Sequence, residues 1–255
     1  MRIRIGLAAG LFGLACLAAL AQDPKVDPKL PPDVVPSTFR AFLVTDGRFP
    51  PLRDADGKVL KGPDGKDLPD PRNRQGKIHC LVCENGLAPV VAIFVRSDTK
   101  TLSPNSGLGK LVKGLNAIIP EYRADKLAGF VMFLRLQGGT KVVTVKTKQA
   151  DGTETETKVE QDLEYPDDEK RGDYVKEIEA FANALSTPNV PFGLAAEKSK
   201  ALAAWGVKDT DEITVVVYYR MRIVGQPWRF AKDADLTDAK IDEILKSVKA
   251  AITKK

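Results

Sequence analysis

The sequence predicts one α/β domain with a mixed central sheet covered by helices on both faces. Runs of β-forming residues alternate along the chain with segments of helical periodicity. Pro89–Val95 carries no charged or strongly polar residue, which is typical of a strand buried on both faces. The chain closes with two neighbouring strands and a helix, which predicts an antiparallel edge to the sheet.

The first half of the domain begins with an extra strand over Phe39–Thr45. Residues 46–76 form a long polar stretch, in which Asp54–Gly57 has the composition of exposed Asp-Gly turns and lacks the terminal Glu of a calcium loop. Apolar residues spaced by three and four predict a helix over 106–119. Phe130–Leu136 is predicted as a second buried strand.

An inserted β-hairpin is predicted at about residues 140–162. Lys141–Lys148 and Glu154–Gln161 alternate in polarity on either side of Asp151-Gly152, a pair that favours a tight hairpin turn. The residues on both faces are mostly Thr, Lys and Glu, so we expect the hairpin to project from the domain.

The second half of the domain supplies the remaining helices and strands. The predicted elements are a helix from Tyr174 to Leu185, a short strand at Val190–Leu194, a short helix over 196–205, a strong strand at Ile213–Arg220, an antiparallel return over Arg222–Ala231, and a C-terminal helix from Ile241 to Ile252 with Thr237 as its N-cap.

The N-terminus has the pattern of a secretory signal. Arg2 and Arg4 precede an apolar run over Ile5–Leu20, and Ala19–Ala21 fits the small-x-small cleavage rule. We therefore predict a signal peptide at 1–21, a proline-rich tether at 22–38 and a folded domain at 39–255. The protein would be periplasmic or secreted, with no integral membrane segment after cleavage.

The charge balance excludes one class of partner. The whole chain carries a formal net charge of +5, and removal of Arg2 and Arg4 leaves 37 basic against 34 acidic residues. The basic residues are interleaved with acidic ones, so the sequence predicts no nucleic-acid partner. It also predicts no cofactor, and it leaves the oligomeric state open.

Cys80 and Cys83 are the cysteines that remain after the signal peptide, and they form a C-x-x-C pair. The segment from His79 to Gly86, followed closely by Pro89–Val95, resembles the thioredoxin-like superfamily when taken with the order of the elements. The similarity is to uncharacterised secreted bacterial thioredoxin-like proteins. It implies a thioredoxin-like three-layer sandwich, with exported protein thiols or disulfides as partners.

The cysteines are displaced relative to the pattern that the resemblance implies. Thioredoxins and peroxiredoxins place the reactive cysteine after the first central strand, where this chain has Arg96–Thr99. Thioredoxins also place a cis-proline before the penultimate strand, where this chain has Lys208–Glu212 without a proline. Cys80 and Cys83 instead precede the strand, and we expect them in a loop or hairpin that enters the sheet.

Three hypotheses for the cysteine pair follow. Cys80 and Cys83 form a non-catalytic disulfide in an interaction domain, or they are a displaced redox site that exchanges disulfides with partners. In the redox hypothesis an imidazolium at His79, the single histidine, would favour the thiolate, whereas Glu84 would oppose it. In the third hypothesis His79, Cys80 and Cys83 bind a soft metal such as copper or zinc.

Overall fold

The computed structural model describes residues 36, 38, 40–136, 140–148, 154–162, 168–198 and 200–253. The predicted signal peptide and nearly all of the predicted tether lie outside these residues. Within them, none of the helices has the length and apolar character that a membrane span requires.

Ten strands and five α-helices make up the described part of the chain. The strands are β1 (Ala41–Thr45), β2 (Ile78–His79), β3 (Val90–Val95), β4 (Ala128–Leu136), β5 (Thr140–Lys148), β6 (Glu154–Asp162), β7 (Phe192–Ala196), β8 (Ile213–Tyr219), β9 (Arg222–Ile223) and β10 (Trp228–Phe230). The helices are α1 (Leu81–Asn85), α2 (Gly107–Glu121), α3 (Asp168–Leu185), α4 (Lys200–Ala204) and α5 (Asp238–Thr253). Short 3-10 turns lie at Thr99–Thr101, Arg123–Asp125 and Asp233–Asp235.

Eight of these strands form one mixed sheet in the order β10-β8-β3-β4-β7-β1-β2, with β9 also paired to β8. Strands β3, β4 and β7 are parallel, whereas β8 runs antiparallel to β3 and β1 runs antiparallel to β7. The closing strands β8 and β10 are antiparallel, as predicted. This order and the helices between the strands confirm the thioredoxin-like arrangement.

Apolar side chains from the two faces of the sheet form two separate cores. Alternate residues of β3 supply both: Val91, Ile93 and Val95 belong to the core beneath α2, α3 and α5, and Val90, Ala92 and Phe94 belong to the core on the opposite face. The second core also contains Leu81 and Val82 of α1. Helices therefore cover both faces, and the predicted three-layer sandwich is confirmed.

Most element boundaries lie within two or three residues of the prediction. Ser106 caps α2 by accepting the Gly109 N–H, and the Thr237 hydroxyl accepts the Lys240 N–H at 3.4 Å, as expected of an N-cap. The predicted return over Arg222–Ala231 is divided into the two short strands β9 and β10. One strand and one α-helix were not predicted: β2 ends directly before Cys80, and α1 contains Cys83.

The inserted hairpin is present as β5 and β6, which pair with each other and form a separate two-stranded sheet. Its predicted Asp151-Gly152 turn lies outside the described residues. A cross-strand ion pair joins Lys146 and Glu156 at 3.0 Å. The hairpin is thus an addition to the sandwich, as predicted.

A β-bulge sets the position of β2. Gly76 donates its N–H to the Leu43 carbonyl at 2.8 Å, and Leu43 donates to the Lys77 carbonyl at 3.0 Å. The φ angle of Gly76 is +73°, which favours glycine. The bulge fixes the register that pairs His79 with Ala41, so the residue before Cys80 is held at the edge of the sheet.

Candidate functional site

The two cysteines are joined by a disulfide at the start of α1. Cys80 is the N-cap of this five-residue helix, and its sulfur accepts the Cys83 N–H at 3.2 Å. The two Cα atoms are 5.3 Å apart, within the usual range for a disulfide. Residues three apart lie on the same side of a helical turn, which is why the C-x-x-C spacing can close this bridge.

The structure therefore corrects, in part, the prediction that Cys80 and Cys83 lie in a loop or hairpin. His79 does lie on a short strand, β2, that pairs with β1. Cys80, however, is the N-cap of α1 and Cys83 lies in its first turn, and the sequence pattern did not predict this helix. This helix has only five residues, too few to show helical periodicity. It forms because Leu81 and Val82 are buried in the core, at 2% and 0% exposure, and the Cys80 sulfur satisfies a backbone N–H.

The two sulfur-bearing residues differ in their access to solvent. Cys80 is half-buried and packs against the second core, whereas Cys83 is exposed. An incoming thiolate therefore reaches Cys83 more readily than Cys80. The leaving sulfur would then be that of Cys80, which already accepts a hydrogen bond that stabilises negative charge.

A network of hydrogen-bonded acidic and basic side chains lies beside the disulfide, and we name it the Arg48 network. Its members are Asp46, Arg48, His79 and Glu84. Arg48 binds Asp46 through Nε at 2.7 Å and through Nη2 at 3.1 Å, and it binds Glu84 through Nη1 at 3.0 Å. His79 Nε2 lies 2.8 Å from Glu84 Oε2. Since an ionised carboxylate only accepts hydrogen bonds, His79 donates from Nε2.

The Arg48 network differs from a surface ion pair because two of its side chains are largely or fully buried. The Asp46 side chain is fully buried, and that of Arg48 is 16% exposed. Burial lowers the pKa of Arg48, but the hydrogen bonds and charges of Asp46 and Glu84 raise it overall. The sequence pattern predicted no role for Asp46 or Arg48, because both lie in the polar stretch 46–76.

The segment directly after β3, where the resemblance places reactive cysteines, makes structural hydrogen bonds instead. Arg96 follows β3, and its guanidinium donates to the Glu197 carbonyl at 2.7 Å and to the Asp209 carboxylate at 3.2 Å. Its backbone N–H donates to the Glu212 carbonyl at 2.7 Å. The structure thus uses this position to tie β3 to the segment 208–212.

The nearby groups complete this tie. The Ser97 hydroxyl donates to Glu212 at 3.2 Å, and the backbone N–H of Asp233 donates to the same carboxylate at 3.1 Å. No cis peptide bond occurs among the described residues. These contacts are structural, and the two cysteines among the described residues both lie at the start of α1.

The metal hypothesis needs free thiolates, and both sulfurs are joined to each other in this structure. Across the described ranges, no three or more His, Cys, Asp or Glu residues come together as a metal site. His79 directs Nε2 to Glu84, as described above. A soft metal would therefore require prior reduction of the disulfide.

The chain is similar to several solved structures. No protein-family model matches the chain, and no curated protein sequence matches it. A protein designated thiol:disulfide interchange protein DsbE from Chlorobium tepidum is 12% identical, with a TM-score of 0.45, over 88% of this chain and 99% of that one. AhpC from Mycobacterium tuberculosis is 13% identical, with a TM-score of 0.47, over 88% of this chain and 99% of that one.

A third similar structure is the bacterioferritin comigratory protein of Xanthomonas campestris, which is described by its alkyl peroxide reduction activity. It is 15% identical, with a TM-score of 0.38, over 70% of this chain and 88% of that one. Identities and TM-scores this low carry no argument about the chemistry of this chain.

Proposed function

We propose that the protein is an exported thiol-disulfide exchange protein whose reactive pair is Cys80 and Cys83. The observation that carries the proposal is the closed disulfide at the start of α1, with Cys83 exposed and Cys80 half-buried. One sulfur is open to a partner, and the other is sheltered and hydrogen-bonded.

The exchange begins with a thiolate of a partner protein. It attacks the Cys83 sulfur, a mixed disulfide forms, and Cys80 leaves as a thiolate that accepts the Cys83 N–H. A second thiolate of the partner then attacks the partner's own sulfur in the mixed disulfide and releases Cys83. The partner gains a disulfide, and the protons lost from its thiols end on Cys80 and Cys83. The reverse sequence reduces a partner.

The predicted export of the protein supports this proposal. Cleavage after Ala21 would release the domain into an oxidising space, where a disulfide is the resting state. The intact mass of protein isolated from a cell-envelope extract tests this step, since an exported and processed chain begins at Gln22. A mass that includes residues 1–21 would contradict it.

A second candidate function is a non-catalytic interaction domain in which the same disulfide only staples α1. The burial of Leu81 and Val82 between the two cysteines favours it, because packing of these side chains in the core accounts for the conformation of α1 without any redox role. The two candidate functions predict different reduction potentials for the disulfide.

The reduction potential separates the two. The mature protein is equilibrated with defined glutathione mixtures, and free thiols are trapped and counted. An exchange protein should have a potential of about −120 to −270 mV, whereas a staple should lie below about −300 mV. Cys80→Ser and Cys83→Ser should each abolish exchange with a partner dithiol. Thiols that become trappable only after a chelator is added would support the metal hypothesis instead.

A further inference from the structure

We propose that Arg48 is a positioning residue that controls the reactivity of the Cys80–Cys83 pair through Glu84. The proposal rests on the proposed exchange function, but it concerns the reduced thiols themselves and can be measured on them directly. Arg48 hydrogen-bonds to the Asp46 and Glu84 carboxylates, so its effect on the thiols would be indirect.

The starting point is the position of Glu84. It directly follows Cys83 on α1, and an isolated carboxylate there would oppose ionisation of the neighbouring thiol, because two negative charges repel. In this structure the carboxylate is shared. Oε1 accepts Arg48 Nη1 at 3.0 Å, and Oε2 accepts His79 Nε2 at 2.8 Å. Glu84 thereby has a cationic partner, which it shares with Asp46, beside the thiol pair.

Arg48 is oriented by Asp46 before it meets Glu84. Two nitrogens of its guanidinium bind the fully buried Asp46 carboxylate, which also accepts the Arg74 N–H at 3.2 Å. Asn73 donates to the Asp46 carbonyl at 3.2 Å. With Nε and Nη2 held by Asp46, Nη1 is directed at Glu84, 36 positions away in sequence, and Nη2 also donates to the second Glu84 oxygen at 3.4 Å.

The electrostatic consequence follows from the two carboxylates and the one guanidinium of the Arg48 network, those of Asp46, Glu84 and Arg48. With Arg48 present, the buried Asp46 and the surface Glu84 both have a cationic partner. Without it, the Glu84 charge is left to His79 alone and acts on the adjacent thiol. Arg48 should therefore keep more of the reduced pair in the reactive thiolate form.

The test uses the mature protein with its disulfide reduced. Ultraviolet absorbance of the thiolate and the alkylation rate with iodoacetamide are both followed against pH. For Arg48→Gln we expect the lower thiol pKa to rise by about 0.5 to 1, the effect of one charge left unscreened on the solvent-exposed residue next to Cys83. Alkylation at pH 7 should then be about 3- to 10-fold slower.

Two further variants make the result specific to Glu84. Arg48→Lys keeps a cation beside buried Asp46, but a single ammonium lacks the fork that binds two carboxylates, so its thiol pKa should also rise. Adding Glu84→Gln to either Arg48 variant removes the unscreened charge and should restore the wild-type thiol pKa. A merely structural role for Arg48 would not give this rescue.

Arg72 supplies the matched control. Its guanidinium stacks on Phe49 at 4.8 Å, as that of Arg48 does at 5.2 Å, and it binds a different carboxylate, Asp70. Arg72→Gln and Arg72→Lys should therefore leave the thiol pKa unchanged.

The outcomes separate this inference from the proposed function. An unchanged thiol pKa in both Arg48 variants, or a rise that Glu84→Gln does not reverse, would overturn the inference even if the protein exchanges disulfides. A Glu84-dependent rise in a protein that never exchanges disulfides would support the inference, while the proposed function would fail. If Arg48→Gln does not fold, Arg48→Lys and its rescue decide the question.

Discussion

Reduction of the Cys80–Cys83 disulfide should destabilise the fold only slightly, and the expected size follows from the ring it closes. The bridge spans three positions in sequence, so the closed loop holds four residues. The loop-entropy relation then gives about 2 kcal/mol for the loss of the bridge at 25 °C. Leu81 and Val82 stay buried without it, so α1 should remain in place.

The assay compares urea unfolding of the oxidised and the reduced protein under otherwise identical conditions. We expect the free energy of unfolding to fall by about 2 kcal/mol with an unchanged m-value, because the surface exposed on unfolding is the same. By the thermodynamic cycle, about 2 kcal/mol corresponds to about 40 mV between the potentials of the pair in the folded and the unfolded chain.

A small loss of unfolding free energy on reduction matters for function, because an exchange protein must stay folded in both redox states. A loss above about 4 kcal/mol, or a changed m-value, would mean that the disulfide holds a larger part of the structure together. This result would refute the reasoning from loop length and would favour the staple over the exchange site. A Cys80→Ser/Cys83→Ser double variant, which cannot form the bridge, serves as the control for incomplete reduction.

Two other predictions concern stability away from the disulfide. Tyr218 is buried beside Trp205, and its hydroxyl has no hydrogen-bond partner among the described residues; burial raises its pKa. Tyr218→Phe should therefore keep or raise the free energy of unfolding, by about 1 kcal/mol, and a clear loss in chemical denaturation would show that the hydroxyl has a partner. The Arg72 side chain and its N–H lower the pKa of Asp70 from 3.8 to about 2. The folded state thus favours the ionised form, so the stabilisation is present above about pH 4 and is lost as the pH falls toward 2. Asp70→Asn should flatten the unfolding free energy over this range in acid titrations, and an unchanged slope would contradict the assignment.

The sequence was informative wherever one local pattern reports burial directly. The apolar run before Arg96 predicted β3, since such a run is typical of a strand covered on both faces, and every residue of β3 is buried. The spacing of leucines and isoleucines predicted α2, and Thr237 predicted the start of α5. These features depend on neighbours in sequence, which is why the layers and most boundaries were recovered.

The sequence failed where an element is too short to show a period. The strand β2 has two residues and α1 has five, and neither length contains a repeat that distinguishes strand from helix. The cysteine pair was found by its spacing, but its setting at the N-cap of a helix was not. Core contacts of Leu81 and Val82 decide that local conformation.

The sequence by itself determined the layered α/β fold and the proximity of Cys80 to Cys83, because both follow from short-range spacing and side-chain polarity. Only the tertiary structure decided the electrostatic setting of the pair. Asp46 and Arg48 lie in what reads as an exposed polar stretch, and Glu84 reads as a charge that opposes the thiolate. Folding buries Asp46, which orients Arg48, and thereby brings a cation from 36 residues away onto Glu84. No local pattern encodes such a contact, since it depends on how the end of β1 meets α1.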